Sequence, residues 1–455
     1  MGFSYRIVIV AMFAFGGLLV FVHKKTHQAG LCLWVASLAL GYRTVHITAN
    51  YSIHPSEVIL WVLFILSLRE LAQNPGLGFR TPRWLWPFVL FWILGWITGL
   101  LTVSTWTQGT DVMFSEFRNF LLLLPLGVVV GVAIARTGAW KAAVVSLFLV
   151  GTWIAFGGDL EYFFPSVAHR FPGLMASPDP TMTQEGFARA SFSYWGSPNA
   201  TMVIILCLPM AIVVSQCFRQ SWQRVLIGVA VVSQVVAIYI GGYRSMWLTV
   251  VVQFVLWTWI RHGPFWCGIV AVPAGITYEF LGETAHARVA SLVAILQGHP
   301  GDTSGVKRLA RIEDTWNAVL QYPLGMGWGG AGWVHSDFLQ VAANLGVLAG
   351  LLFAFAYLNT LWRLVRKVQL GARWRELDPL GLSLLLSFVA VAMLLAVEGV
   401  EVLPQTMLPV WFVWVLVEIW LQGTQHARGG AAYATTSYFN SATNLQLRRH
   451  RSEHA

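Results

Sequence analysis

Long apolar runs alternate with short polar breaks from one end of this chain to the other. Thirteen such runs can be drawn, at residues 7–22, 31–47, 53–68, 85–103, 120–135, 142–156, 200–218, 225–240, 246–260, 265–280, 338–362, 380–397 and 407–421. Many approach the ~20 residues that a helix needs to cross a bilayer. The fold class they predict is all-α, a polytopic membrane protein of about 12–13 transmembrane helices with two long loops on the outer face. The second and third runs are short and carry Arg43, His46 and His54. If one weak run is re-entrant, twelve crossings put both termini on one side. Residues 157–199 and 281–337 are far longer than the few residues that usually join packed helices. The predicted organisation is therefore N-terminal transmembrane helices over 1–156, a loop over 157–199, and central transmembrane helices over 200–280. A second loop with an amphipathic helix follows over 281–337, then C-terminal transmembrane helices over 338–421 and a tail over 422–455. That tail, rich in Ala, Thr, Ser and Asn, is expected to be disordered and cytoplasmic.

Composition supports the same picture. The chain of 455 residues is 56% hydrophobic and 11% charged, with a mean hydropathy of +0.63, a balance that excludes a soluble globular protein. A net charge of +9 raises the question of nucleic acid. The basic residues punctuate membrane segments instead of forming one stripe, which argues against it. With the C-terminus in the cytoplasm, 19 of the 29 Lys and Arg residues fall inside, led by the cluster from Arg363 to Arg375, as the positive-inside rule asks. Lys24 and Lys25 follow the first run and only Arg6 precedes it, so this run reads as a retained helix and not as a cleaved signal peptide. Cys32, Cys207, Cys217 and Cys267 lie in or beside apolar runs without a CxxC spacing. Neither a disulfide framework nor a zinc site is suggested.

The chemistry-bearing residues gather late in the chain. From Val306 to Gln321, Val306, Leu309, Ile312, Trp316 and Val319 recur at helical spacing, with Lys307, Arg308, Arg311, Glu313 and Asp314 elsewhere. This pattern predicts an amphipathic helix lying on a membrane surface, with Arg308 and Arg311 projecting side by side. Pro323 ends it. Gly325, Gly327, Gly329, Gly330 and Gly332 follow, a loop able to approach a ligand closely or to offer N–H groups to an anion. His335 then precedes Ser336 and Asp337, either of which could cap the next helix. A neutral imidazole there could accept a proton from a sugar hydroxyl. Arg244, in G-G-Y-R-S-M-W, sits at the apolar boundary, where a guanidinium is costly unless it meets a partner such as a diphosphate. Glu398 and Glu401 occupy the last outer connection and could orient His335 or pair with an arginine. No acidic or histidine cluster has metal-ligand spacing, and no P-loop, Rossmann or G-x-S-x-G signature is present.

Taken in order, these segments resemble the O-antigen ligase and polysaccharide polymerase superfamily of integral-membrane glycosyltransferases. The resemblance runs from about Arg189 to Leu421. It rests on S-F-S-Y-W-G-S-P-N-A with Asn199 opening a helix, Y-R-S-M-W with Arg244, R-I-E-D-T-W-N-A-V-L followed by Y-P-L-G-M-G, and H-S-D-F-L-Q with His335. Ser336 replaces the family's usual asparagine, and Asn344 stands where many members have glutamate. The resemblance implies a bacterial inner-membrane enzyme that moves a glycan from undecaprenyl diphosphate to an acceptor on the periplasmic side. It implies no metal, no cofactor and no nucleotide sugar. Arg244 and Arg311, with Arg308, would hold the diphosphate, and His335 would be the general base. Asn199, Glu398 and Glu401 would line the substrate site. A ligase acceptor, lipid A core, is expected ahead of a polymerase acceptor. A flippase for lipid-linked glycans is the reading from a different class, set back because ionisable residues concentrate on one face and no internal repeat is evident.

Overall fold

The computed structural model describes residues 17–18, 21–23, 25–40, 45–46, 52–75, 85–101, 110–168, 181–184, 187–190, 192, 197–218, 220–268, 303–332, 334–370, 378–397 and 404–428, with single positions at 286, 290 and 294. Eleven of the thirteen apolar runs fall on described helices, while the runs at 7–22 and 265–280 lie largely outside the described residues. Among the described residues, the α-helices of seven residues or more are α1 (His27–Ser37), α2 (Pro55–Gln73), α3 (Leu85–Leu101), α4 (Thr110–Leu121), α5 (Leu123–Thr137), α6 (Trp140–Phe163), α7 (Ser197–Cys207) and α8 (Ala211–Cys217). They continue as α9 (Ser221–Gly241), α10 (Arg244–His262), α11 (Thr303–Gln321), α12 (Asp337–Leu345), α13 (Val347–Leu370), α14 (Pro379–Val397) and α15 (Pro404–Arg428). Two small antiparallel pairs, Val45–His46 with Ser52–Ile53 and Thr181–Gln184 with Phe187–Ala190, are the strands among the described residues. Among the described residues, six spans are long and apolar enough to cross a membrane: Glu116–Thr137, Trp140–Phe163, Pro198–Cys217, Ser221–Gly241, Val347–Val368 and Pro379–Ala396. The chain is an all-α, multi-pass membrane protein. The loop expected from residue 157 begins later, because α6 runs on to Phe163, and α15 extends past the expected boundary at 421 to Arg428.

Proline sets where spans bend. Pro125 lacks the N–H that would bond the Leu121 carbonyl, and the Glu116–Thr137 span is jointed at Leu122, between α4 and α5. Pro209 withholds its N–H from Ile205 in the same way. The Gln253 amide of α10 bonds that carbonyl at 3.2 Å and also reaches Leu386 O of α14 at 3.2 Å. Ser387 Oγ donates to Leu206 O and Ser383 Oγ to Pro209 O, both at 2.8 Å. Polar side chains thus satisfy backbone that lipid could not.

The core is α14 and α15 with their neighbours. From Met407 to Val417 of α15 the apolar side chains are fully buried. Trp411 and Trp414 pack edge-on or tilted against Phe88, Phe120, Phe353, Tyr357 and Phe388. Outward stripes such as Leu348, Leu351, Phe355, Leu358 and Trp362 of α13 are exposed, as a lipid-facing helix side should be.

Ion pairs define the two ends of the bundle. At one end Glu70 meets Arg136, Arg363 meets Glu418 at 3.0 Å, Lys367 donates to Trp420 O, and Trp420 Nε1 donates to Asp378. At the other, Arg118 meets Glu57 at 3.4 Å. The starts of α12 and α13 and the loop before them belong to this second end.

Candidate functional site

The run drawn as one helix over 338–362 is broken, which corrects the sequence reading. α12 ends at Gly346, whose φ of 94° and ψ of 161° leave the helical region, and α13 starts at the next residue. Such a break strands carbonyls that hydrocarbon cannot satisfy. The segment after Pro323 supplies the missing donors. Met326 N–H donates to Ala343 O at 2.9 Å and Gly327 N–H to Asn344 O at 2.8 Å, while Val347 N–H donates to Pro323 O at 3.0 Å. Thr98 Oγ1 of α3 lies 2.9 Å from Leu324 O and 3.3 Å from Leu345 O. A Cβ at Gly325 would come within 2.5 Å of Asn344 O and Gly346 N, so the two segments fit only because that position is bare. The glycine-rich loop is therefore a latch on a broken helix.

The same loop does offer an N–H to an anion, but that anion is the protein's own. Gly329 N–H donates to Glu116 Oε2 at 2.6 Å. Glu116 is 3% exposed and also accepts from Asn344 Nδ2 at 2.9 Å and Gln340 Nε2 at 3.3 Å. Trp328, between these contacts, is driven among Phe91, Phe117 and Phe120. Sequence reading missed Glu116 because it lies just before the apolar run drawn from residue 120. One signal was available: Asp337, Gln340 and Asn344 stand at helical spacing in an apolar run, a polar stripe that needs an internal partner.

His335 is half-buried and stands two residues before the start of α12. Neither neighbour caps that helix as expected. Ser336 holds the N-cap position without a side-chain cap bond, and Asp337 is the first helical residue and fully buried. Burial first, then Arg308 and Arg311, hold the His335 imidazole down from 6.5 to about 4. Both guanidinium charges thus act on the ring. The geometry of α11 explains it. Thr315 and Val319 are its buried positions, and Arg308 and Arg311 precede them on the same helix face. The apolar residues Val306, Leu309, Trp316 and Leu320 stay exposed, as they would on a helix whose apolar side meets lipid.

Arg244 opens α10 and is partly buried, and Asn199, in the first turn of α7, is 3% exposed. Both stand at the His335 end. Gln253 bonds Ile205 and Leu386 at one level of the bundle, and at ~1.5 Å per residue Arg244 lies about 13 Å, and Asn199 about 9 Å, from that level. α14 runs antiparallel to α7, as the Ser383–Pro209 and Ser387–Leu206 bonds require. Tyr357 OH bonds Phe388 O at 2.6 Å, and the start of α13 lies about 15 Å beyond Tyr357 in the same direction. Asn199, Arg244, Arg308, Arg311 and His335 thus share one end of the bundle. Glu398 and Glu401 lie outside the described residues. Among the described residues no three His, Cys, Asp or Glu side chains converge on a point that could hold a metal ion.

The arrangement is a neutral imidazole beside two cations at an apolar boundary, with a third cation at the same end. It suits an anionic group carried by a lipid and a hydroxyl that must lose a proton. No family model and no curated protein matches this chain.

Proposed function

We propose that the protein is a membrane glycosyltransferase of the O-antigen ligase and polymerase kind. It would move a glycan from undecaprenyl diphosphate to an acceptor hydroxyl on the periplasmic side of a bacterial inner membrane. The observation that carries this reading is a half-buried His335 at the start of the helix that the loop latches, with the charges of Arg308 and Arg311 acting on its ring. Arg136, Lys141, Arg224, Arg261, Arg363 and Lys367 lie toward the opposite end, and the positive-inside rule would turn that end to the cytoplasm.

In this mechanism Arg308, Arg311 and Arg244 bind the diphosphate oxygens in forked hydrogen bonds. His335 takes the proton of the acceptor hydroxyl, and the freed oxygen attacks the anomeric carbon. The bond from that carbon to the diphosphate breaks, and the diphosphate leaves with the electron pair and inversion at carbon. The guanidiniums stabilise the charge that develops on it.

The test uses the full-length protein in proteoliposomes with purified undecaprenyl diphosphate-linked glycan. His335→Ala should lower transfer by about 100-fold or more while the protein remains folded. Wild-type rates in that variant would sink the general-base role. Transfer to lipid A core marks a ligase, and transfer to a second carrier-linked glycan marks a polymerase. A change of leaflet without a new glycosidic bond would replace the proposal with a flippase.

A further inference from the structure

The three groups that donate to Glu116 are neutral, and two of them are side-chain amides whose orientation is already decided. Asn344 Oδ1 accepts from Ala331 N–H at 2.8 Å, and Gln340 Oε1 accepts from Val334 N–H at 3.0 Å. Their NH2 groups must therefore turn toward Glu116, where the Gly329 N–H also arrives. The two carboxyl oxygens of Glu116 accept from all three donors. A carboxamide of the same shape would set an NH2 against at least one of them.

The consequence is a loop tied at three points to one side chain. Gly329 is bound directly, Ala331 through Asn344, and Val334 through Gln340. His335 is the next residue after the last tie. We infer that Glu116 is a positioning residue for His335, holding the 329–334 loop so that the imidazole stays beside Arg308 and Arg311. Its importance for catalysis rests on the transfer reaction proposed above, whereas its hold on the loop does not. The carboxyl group that Asn344 contacts comes from α4.

The experiment follows the His335 ring itself. Full-length protein in nanodiscs is treated with diethyl pyrocarbonate from pH 4 to pH 8, and modification of the His335 peptide is read by mass spectrometry. The charged groups on the packed elements are Arg308 and Arg311 on α11, Asp337 on α12 and Glu116 on α4. Wild type should titrate near 4. In Glu116→Gln and Glu116→Ala the loop is released into water and away from the arginines, so titration should move up toward 6.5, and modification at pH 8, where the ring is neutral in every variant, should be faster. Removing a carboxylate without moving the loop would shift the ring down or not at all, so the sign separates positioning from simple charge. An unmoved or lowered profile in Glu116→Gln overturns the inference. Gln340→Met, which cuts only the Val334 tie, gives the same decision with a smaller shift if the Glu116 variants do not fold. Glu418→Gln removes a buried carboxylate from the far end of the bundle and should leave His335 at its wild-type position, which a general loss of stability would not. With donor present, Glu116→Gln should lose turnover on the order of 10-fold or more while KM for donor is kept. If wild type transfers nothing, the proposed reaction falls, and the histidine titration still decides the role of Glu116.

Discussion

Gly346→Ala is the substitution whose sign separates a continuous helix from the broken one. If residues 338–362 formed one helix, replacing glycine by alanine would stabilise it by about 1 kcal/mol. The structure requires the opposite. At φ 94° an alanine carries strain of about 1–3 kcal/mol. Its Cβ would also meet Leu324 C and O at 2.9 Å and Pro323 O at 3.0 Å. Backbone crowds from that side, so the two segments must part, loosening the bonds at Met326, Gly327 and Val347, each worth about 0.5–1.5 kcal/mol. A loss of roughly 2–5 kcal/mol is expected from these terms together. Thermal unfolding of the detergent-solubilised protein, followed by tryptophan fluorescence, measures it. Gly157→Ala in α6 is the control: a Cβ there meets nothing within 4 Å, so that variant should match or exceed wild type by about 0.5–1 kcal/mol. A Gly346→Ala protein that melts at or above wild type would refute the latch.

The remaining predictions concern the His335 environment. Arg308 is the second of the causes that bring the ring from 6.5 to about 4, so it supplies at most half of that drop. Arg308→Gln should raise the titration by no more than about 1.2 pH units, and Arg311→Gln by less; both should weaken use of the diphosphate donor, and unchanged donor KM in both would remove the clamp. Because the folded-state pKa of His335 lies below the ordinary value, its neutral form favours the fold. Stability is fully present above pH 6.5 and falls as pH drops toward 4, by on the order of 1–2 kcal/mol after discounting for a ring that is only half-buried. His335→Gln should lose that part of the pH dependence of unfolding, and an unchanged pH profile would contradict the burial argument.

Helix positions were legible in the sequence because hydrophobicity alone decides which segments leave water, and eleven of the drawn runs overlap described helices, although the run at 31–47 ends on the strand Val45–His46. The break at Gly346 was not. Glycine is common in membrane helices, so a single one does not announce an end. What breaks this helix is a second segment some twenty residues earlier in the chain, whose N–H groups take over the stranded carbonyls. The cap expected at Ser336 or Asp337 failed for a related reason. Asp337, Gln340 and Asn344 are drawn inward, and a buried first turn leaves its side chains to the interior rather than to the helix end. Arg308 and Arg311 could be paired from their spacing, since three residues on a helix suffice. Their approach to His335 depends on how α11 packs on α12, which no local pattern encodes. Glu116 was hidden by a boundary drawn four residues too late.

A tension within the site also has a physical resolution. A histidine held well below its ordinary range first by burial and then by two guanidiniums is a poor base while the site is empty, because the imidazolium it must become is poorly solvated and is repelled by Arg308 and Arg311. The ligand proposed to occupy those arginines is a dianion. Once bound, it offsets the charge that depresses the ring, and the apolar boundary strengthens that compensation by excluding water. On the proposed reading His335 would gain basicity only when the donor is seated, and the acceptor hydroxyl would then lose its proton where an anomeric carbon is ready to receive it. The latch at Gly346 and the ties to Glu116 matter for this reason. The compensation falls off with distance, and a loop free to drift would leave the ring basic in water and useless beside the phosphate.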